Sequence, residues 1–130
     1  MKYLAIGALS LLATTLPAVA HHPFEAEFDA TMPITVSGKV TRVDWAYPHV
    51  VIHVDATEAG GATRAVSLEA GSPNEMLSLG WRIDTLKSGE EISVQGCRSK
   101  MDSSIVAARM IALADGQKRS AHGDDGGPRS

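Results

Sequence analysis

The chain has a single cysteine, Cys97, in 130 residues, so no internal disulfide can form. Basic side chains are the minority. Twelve Lys+Arg against 15 Asp+Glu give a net charge of −3, which excludes the basic face that nucleic-acid binding needs. Long apolar runs are also scarce. Leu4 to Leu16 is interrupted by Ser10, Thr14 and Thr15, and it is shorter than the ~20 residues that span a bilayer. No comparable run follows it, so the mature chain is expected to be soluble. There is no phosphate loop, no pair of catalytic acids and no Ser/His/Asp order that points to a hydrolase, so no enzymatic activity is expected. There is no internal repeat and no second domain.

What is present begins with an export signal. Lys2 supplies the positive start, Leu4 to Leu16 the apolar stretch, Pro17 the helix break and Ala18-x-Ala20 a small-residue cleavage site. Residues 1–20 therefore read as a cleavable signal peptide, which places the mature protein in the periplasm. Removing them takes away Lys2 alone among charged side chains, so the mature chain is one unit more negative. No cysteine follows the cleavage site to carry a lipid. In an oxidising compartment the core must suffice without a covalent staple, and Cys97 reads as a partly buried small hydrophobe.

Residues 21–33 read as an extended arm. Pro23 and Pro33 push His22 and Met32 toward extended backbone, and Phe24 and Phe28, the only phenylalanines, would pin the arm to the domain. Ile34 to Trp45 reads as a long first strand. Its apolar phase runs Ile34, Val36, Gly38, Val40 and then shifts to Val43 and Trp45, which predicts a bulge or bend at Thr41-Arg42. Gly38 would allow a close backbone approach there. Tyr47-Pro48 turns the chain into a second strand, His49 to Ala56. Val50, Ile52 and Val54 lie on one face, and His49, Val51, His53 and Asp55 on the other.

Gly60-Gly61 marks a hairpin loop before a third strand, Thr63 to Glu69, in which Ala65 reads as inward and the pattern leaves Val66 and Leu68 open. Ser72-Pro73-Asn74-Glu75 has the form of a capping box that starts a short helix of about two turns, with Gly80 as its stop. Trp81 and Leu86 are expected core anchors. Glu91 to Arg98 and Ile105 to Leu113 read as the last two strands. Residues 117–130 are polar and Gly-rich, without apolar periodicity, and read as a disordered tail.

The predicted class is all-β with one short helix, in the order β-β-β-α-β-β over residues 34–116. That order, with a long bent first strand, predicts a small five-stranded OB-like β-barrel, with a small antiparallel sandwich as the alternative. The motifs His21-His22-Pro23-Phe24, Glu27-Phe28-Asp29, Trp45-Ala46-Tyr47-Pro48-His49, Gly71-Ser72-Pro73-Asn74, Gly80-Trp81 and Leu86-Lys87-Ser88-Gly89-Glu90, taken in order, resemble an exported bacterial family filed as domain of unknown function 6152. The family commonly has Ser at the place of Pro23 and Asn at that of Tyr47. The resemblance implies a small exported β-protein and brings no activity with it.

The chemistry concentrates at the mature amino terminus. Cleavage after Ala20 would leave His21 with a free α-amine, and amine plus Nδ1 chelate a metal ion in one ring. A third nitrogen from another histidine completes a planar set that suits Cu(II), similar to the histidine brace of copper monooxygenases and of some periplasmic copper proteins. A competing mode uses the amine with the amide and Nδ1 of His22. Pro23 has no N–H, so no chelate extends to a third backbone nitrogen. His49, at the start of the second strand, is the candidate third ligand. His53 lies ~13 Å further along that strand, too far to share the ion, and reads as a surface or cross-strand residue. No role is assigned to His122, which falls in the polar tail.

Trp45 and His49 flank Tyr47-Pro48 and would wall a small pocket, with Tyr47, Phe24 and Asp29 as further candidate ligand-binding residues. Taken alone, Trp45 reads rather as core. Glu25, Glu27, Asp29 and Asp55 would supply an oxygen ligand or orient an imidazole; the plainer reading is a solvated acidic arm. Two readings follow. One is a periplasmic metal-binding protein, for Cu(II), acting as a carrier, buffer or accessory factor. The other is a metal-free OB-type module for a small ligand or a periplasmic protein partner.

Overall fold

The computed structural model describes residues 24–123. Residues 1–23, which hold the expected signal peptide, His21 and His22, and residues 124–130 lie outside that span. Phe24–Glu27 form one helical turn, α1. The strands that follow are β1 (Phe28–Asp44), β2 (Val51–Thr57), β3 (Thr63–Glu69), β4 (Glu91–Ser99), β5 (Ile105–Ala112) and β6 (Lys118–Ser120). A second helix, α2 (Pro73–Ser78), lies between β3 and β4. The protein is mostly β, with one six-stranded sheet in the order β3-β2-β1-β4-β5-β6.

β1 organises the sheet. Its 17 residues pair antiparallel with β2 through Gly38–Asp44 and with β4 through Phe28–Lys39. The register with β2 slips between Val40 and Arg42, where the apolar phase of the sequence changes. The extra residue is Thr41, so Val40 and Val43 can both turn toward the interior although they are three apart. A Cβ on Gly38 would overlap the Asp55 carbonyl on β2, so only glycine allows this approach. All neighbours in that order are antiparallel. An additional parallel pairing joins Ser67–Glu69 of β3 to Ile105–Ala107 of β5. A path of paired strands thus runs β1–β2–β3–β5–β4 and returns to β1.

The core follows from strand alternation. Val50, Ile52, Val54 and Ala56 on one face of β2 are buried, as are Val66 and Leu68 of β3, Ile92 and Val94 of β4, and Val106, Ala108 and Ile111 of β5. Met76, Trp81 and Leu86 close the same cluster. Each fully buried aliphatic side chain contributes about 1.5–3 kcal/mol of transfer free energy. A second, smaller cluster of Phe28, Cys97 and Ala107, with Ile105 beside it, forms where the start of β1 crosses β4 and β5. Cys97 is buried there as a small hydrophobe.

α2 starts where the capping box places it. Ser72 accepts from the Glu75 amide, Glu75 reaches back to the Ser72 amide, and Pro73 occupies the first turn. Gly80 takes a positive φ of 88° after the helix. Among the described residues no helix is long and apolar enough to cross a membrane.

Four expectations need correction. Among the described residues there are six strands rather than five, because Lys118–Ser120 pair with Met110–Ala112. The segment from Gln117 is therefore ordered as far as it is described, and Ala121 is fully buried. The arm is not extended throughout: Phe24–Glu27 is helical, and the strand begins at Phe28, before Ile34. The register irregularity between Phe28 and Pro33 hides that first part of β1 from a period-2 reading. Ala65 faces outward, since Val66 and Leu68 set the inward phase of β3.

Candidate functional site

The end of β3, the start of β2 and the segment after β6 meet around one backbone residue. Gly71 accepts the Val50 N–H through its carbonyl (2.9 Å) and donates its own N–H to the Ala121 carbonyl (2.7 Å). The Ala70 N–H returns to the Val50 carbonyl (2.9 Å). The residue before Val50 and the residue after Ala121 are thereby brought together. They are His49 and His122, whose ring centroids lie 6.4 Å apart at an interplanar angle of 55°.

Each ring faces a carboxylate through Nδ1. His49 Nδ1 is 3.0 Å from Glu69 Oε1, at the end of β3. His122 Nδ1 is 3.9 Å from Glu75 Oε1, on the first turn of α2. Glu75 is held in place by its capping bond to the Ser72 amide and accepts the Gly123 N–H as well. At 3.0 Å the Glu69 carboxylate is within hydrogen-bond reach of His49 Nδ1 and can hold the proton there, the tautomer a metal-binding histidine uses, whereas the 3.9 Å at His122 is an electrostatic contact too long for a hydrogen bond. The His49 side chain is 37 % exposed and that of His122 is 17 %. Among the described residues, no group of three or more His, Cys, Asp or Glu is arranged to hold a metal ion by itself.

The other expected site residues scatter around this point. Trp45 is half-buried and packs on the main core. The space between it and Val43, Ile52, Met76, Trp81 and Leu86 measures only about 10 Å³, room for a single water. Tyr47, joined to Pro48 by a cis peptide bond, is 66 % exposed. Asp29, near the start of β1, accepts from the Thr31 amide (3.0 Å) and hydroxyl (2.6 Å). The Thr31 hydroxyl bond chiefly holds its carboxyl below the usual range. Asp29 lines a separate open pocket of about 370 Å³ with Met32, Pro33, Ile34, Arg98 and Lys100. Phe24 lies in α1. His21 and His22, the proposed chelating pair, lie outside the described residues.

The arm nevertheless enters close by. Phe28 belongs to the cluster with Ala107. Ala107 is the register partner of Glu69, and Glu69 holds His49. One strand pairing separates the anchor of the arm from the carboxylate behind His49.

His53 is a cross-strand residue, as its position on β2 suggests. Its Nε2 is 2.8 Å from Asp44 Oδ2 and its Nδ1 is 3.2 Å from the Ser67 hydroxyl. Arg42 grips the same carboxylate through two bonds of 2.8 and 2.9 Å. Those Arg42 bonds first, and His53 second, lower the Asp44 pKa to about 2. Serine, imidazole and carboxylate stand in a row, but Arg42 shares the carboxylate and Ser67 lines none of the pockets above. The row reads as an outward-facing cross-strand polar network.

Sequence reasoning missed His122, Glu69 and Glu75. Glu75 was visible as a capping residue, yet nothing local joins it to a histidine 47 positions later. A family of unknown function (DUF6152) matches residues 8–106. No curated protein matches the chain.

Proposed function

The chain belongs to this family of unknown function, and from its own residues we propose that it is an exported periplasmic copper(II)-binding protein, a carrier or accessory factor without enzymatic activity. Cleavage after Ala20 frees the amine of His21. Amine and Nδ1 of His21 take two positions on the ion, and Nε2 of His49 takes a third. The observation that carries this reading is the His49–Glu69 pair. It presents an oriented, half-exposed imidazole one strand pairing from the point where the arm is anchored. A second mode, through the amide and Nδ1 of His22, competes for the same amine.

The path of pairings through five strands supports reading the domain as an OB-like barrel with β6 added at β5. The water-sized space beside Trp45 weighs against a small organic ligand at that end.

Mass spectrometry of the exported protein is expected to find His21 first. Calorimetric titration of Cu(II) into the mature protein and three variants then tests the ligands. A Gly-Ser extension before His21 keeps every imidazole and displaces the amine, so binding should weaken more than about tenfold, a loss above about 1.4 kcal/mol. His49→Ala should weaken it too. His53→Ala should not, given the ~13 Å along the strand. Both the amine (reference ~7.7–8.0) and an imidazole (~6.5) must lose protons to bind, so affinity should fall steeply toward about pH 5. Equal affinity in the Gly-Ser form would reduce His21 and His22 to adventitious ligands.

A further inference from the structure

We infer that the pocket where β1 parts from β4 binds a small organic monocarboxylate, its acid group on Arg98 and its apolar body against Met32, Pro33 and Ile34. The site needs no metal ion and is independent of copper binding.

The register makes the pocket. Phe28 pairs with Ser99 and Pro33 with Cys97, so the β1 residues from Asp29 to Met32 all stand opposite Arg98 alone. A strand with surplus residues bends away from its partner and re-aims the side chains beside it. The opening holds about 370 Å³. Small-molecule sites run from about 300 to 1,000 Å³. Its frame is fixed on both sides. The Lys100 N–H donates to the Glu27 carbonyl (2.9 Å), and Phe28 and Cys97 are buried together with Ala107 beneath the opening.

The charge of the rim selects an anion. In a chain of net charge −3, the lining carries two cations, Arg98 and Lys100, against one carboxylate, Asp29. Asp29 is already engaged by its own turn, since its Oδ1 takes both the amide and the hydroxyl of Thr31. Arg98 stands apart from the other arginines. Arg42 and Arg64 grip carboxylates, Arg82 and Arg119 donate to backbone carbonyls, and Arg109 has a partner too. Among the described residues only the Arg98 guanidinium has none, and it is exposed at the pocket. Its planar fork of N–H donors matches the two oxygens of a carboxylate. Beside it Met32 is 64 % exposed although apolar, and Pro33 is exposed as well. An inorganic anion would leave that wall wet. A neutral apolar molecule would leave Arg98 unanswered.

The test titrates sodium benzoate and sodium hexanoate into the metal-free mature protein and follows two-dimensional amide NMR spectra. Saturable shifts are expected at Met32, Ile34 and residues 98–100 from at least one of the two acids. None from either overturns the inference. Acetate lacks the apolar body and benzyl alcohol lacks the charge, so each should bind at least about tenfold more weakly. Acetate binding as tightly as the larger acids would reduce the site to a bare charge contact and overturns it too. Arg98→Gln changes an exposed side chain, so the shifts of the core amides should stay in place while affinity falls more than about tenfold. Met32→Glu sets a like charge on the apolar wall and should weaken binding as well. Unchanged affinity in either variant overturns the inference.

Discussion

Asp44 gives the clearest consequence at the level of single residues. Arg42 first and His53 second hold its folded pKa at about 2, below the ordinary value of 3.8. A carboxyl whose folded pKa is depressed contributes stability above the unfolded pKa and loses it as pH falls through the folded one. The contribution is therefore complete above about pH 4 and disappears on the way to about pH 2. Asp29 and Asp102 are lowered in the same sense, by the Thr31 and Ser104 hydroxyls first. Melting temperatures recorded between pH 2 and 6 should fall with acid, and Asp44→Asn should flatten part of that slope. An unchanged slope in Asp44→Asn would show that the network in the crossing of β1 and β2 has no effect on folding. The pairing of His53 with β1 was legible from its strand position. Its partners were not, because the bulge at Thr41 decides which β1 side chain stands opposite.

At the level of elements, local signals carried the furthest. The capping box of α2 involves Ser72 and Glu75 alone, so the sequence predicts it without knowledge of the fold. The alternation in β2 and β4 likewise gives the buried faces. β6 was invisible because it is three residues long and follows no apolar period. Its hold comes from β5, from one small buried residue, Ala121, and from Trp81. Trp81→Phe removes the indole donor and leaves the Ser120 carbonyl without that bond. It should cost about 1–3 kcal/mol in denaturant unfolding. The loss should be uneven: in hydrogen exchange the Ala121 amide should lose protection while the amides of β2 and β4 keep theirs. Uniform loss would mean that Trp81 acts only as core filling.

The molecule as a whole is joined by pairs that lie far apart in the chain. The Ser37 hydroxyl meets that of Ser93, 56 positions on, and Trp81 reaches Ser120, 39 positions on. This is also why the candidate site was only half legible. His49 follows from its place in the sequence, but its neighbour His122 depends on Gly71 bonding to both Val50 and Ala121. A topology of this kind has a temporal consequence. β1 is the first strand of the described chain, and along most of its length its partner is β4, which arrives after two other strands and a helix. An amino-terminal half on its own would have β1 with one edge open, so assembly must wait until β4 and β5 are available. Under the export proposed above, that delay would keep the chain threadable until its carboxyl-terminal half has crossed. Refolding followed by the fluorescence of buried Trp81 should accordingly run in milliseconds to seconds, the range of non-local β-topologies. A microsecond phase carrying the full amplitude would contradict it.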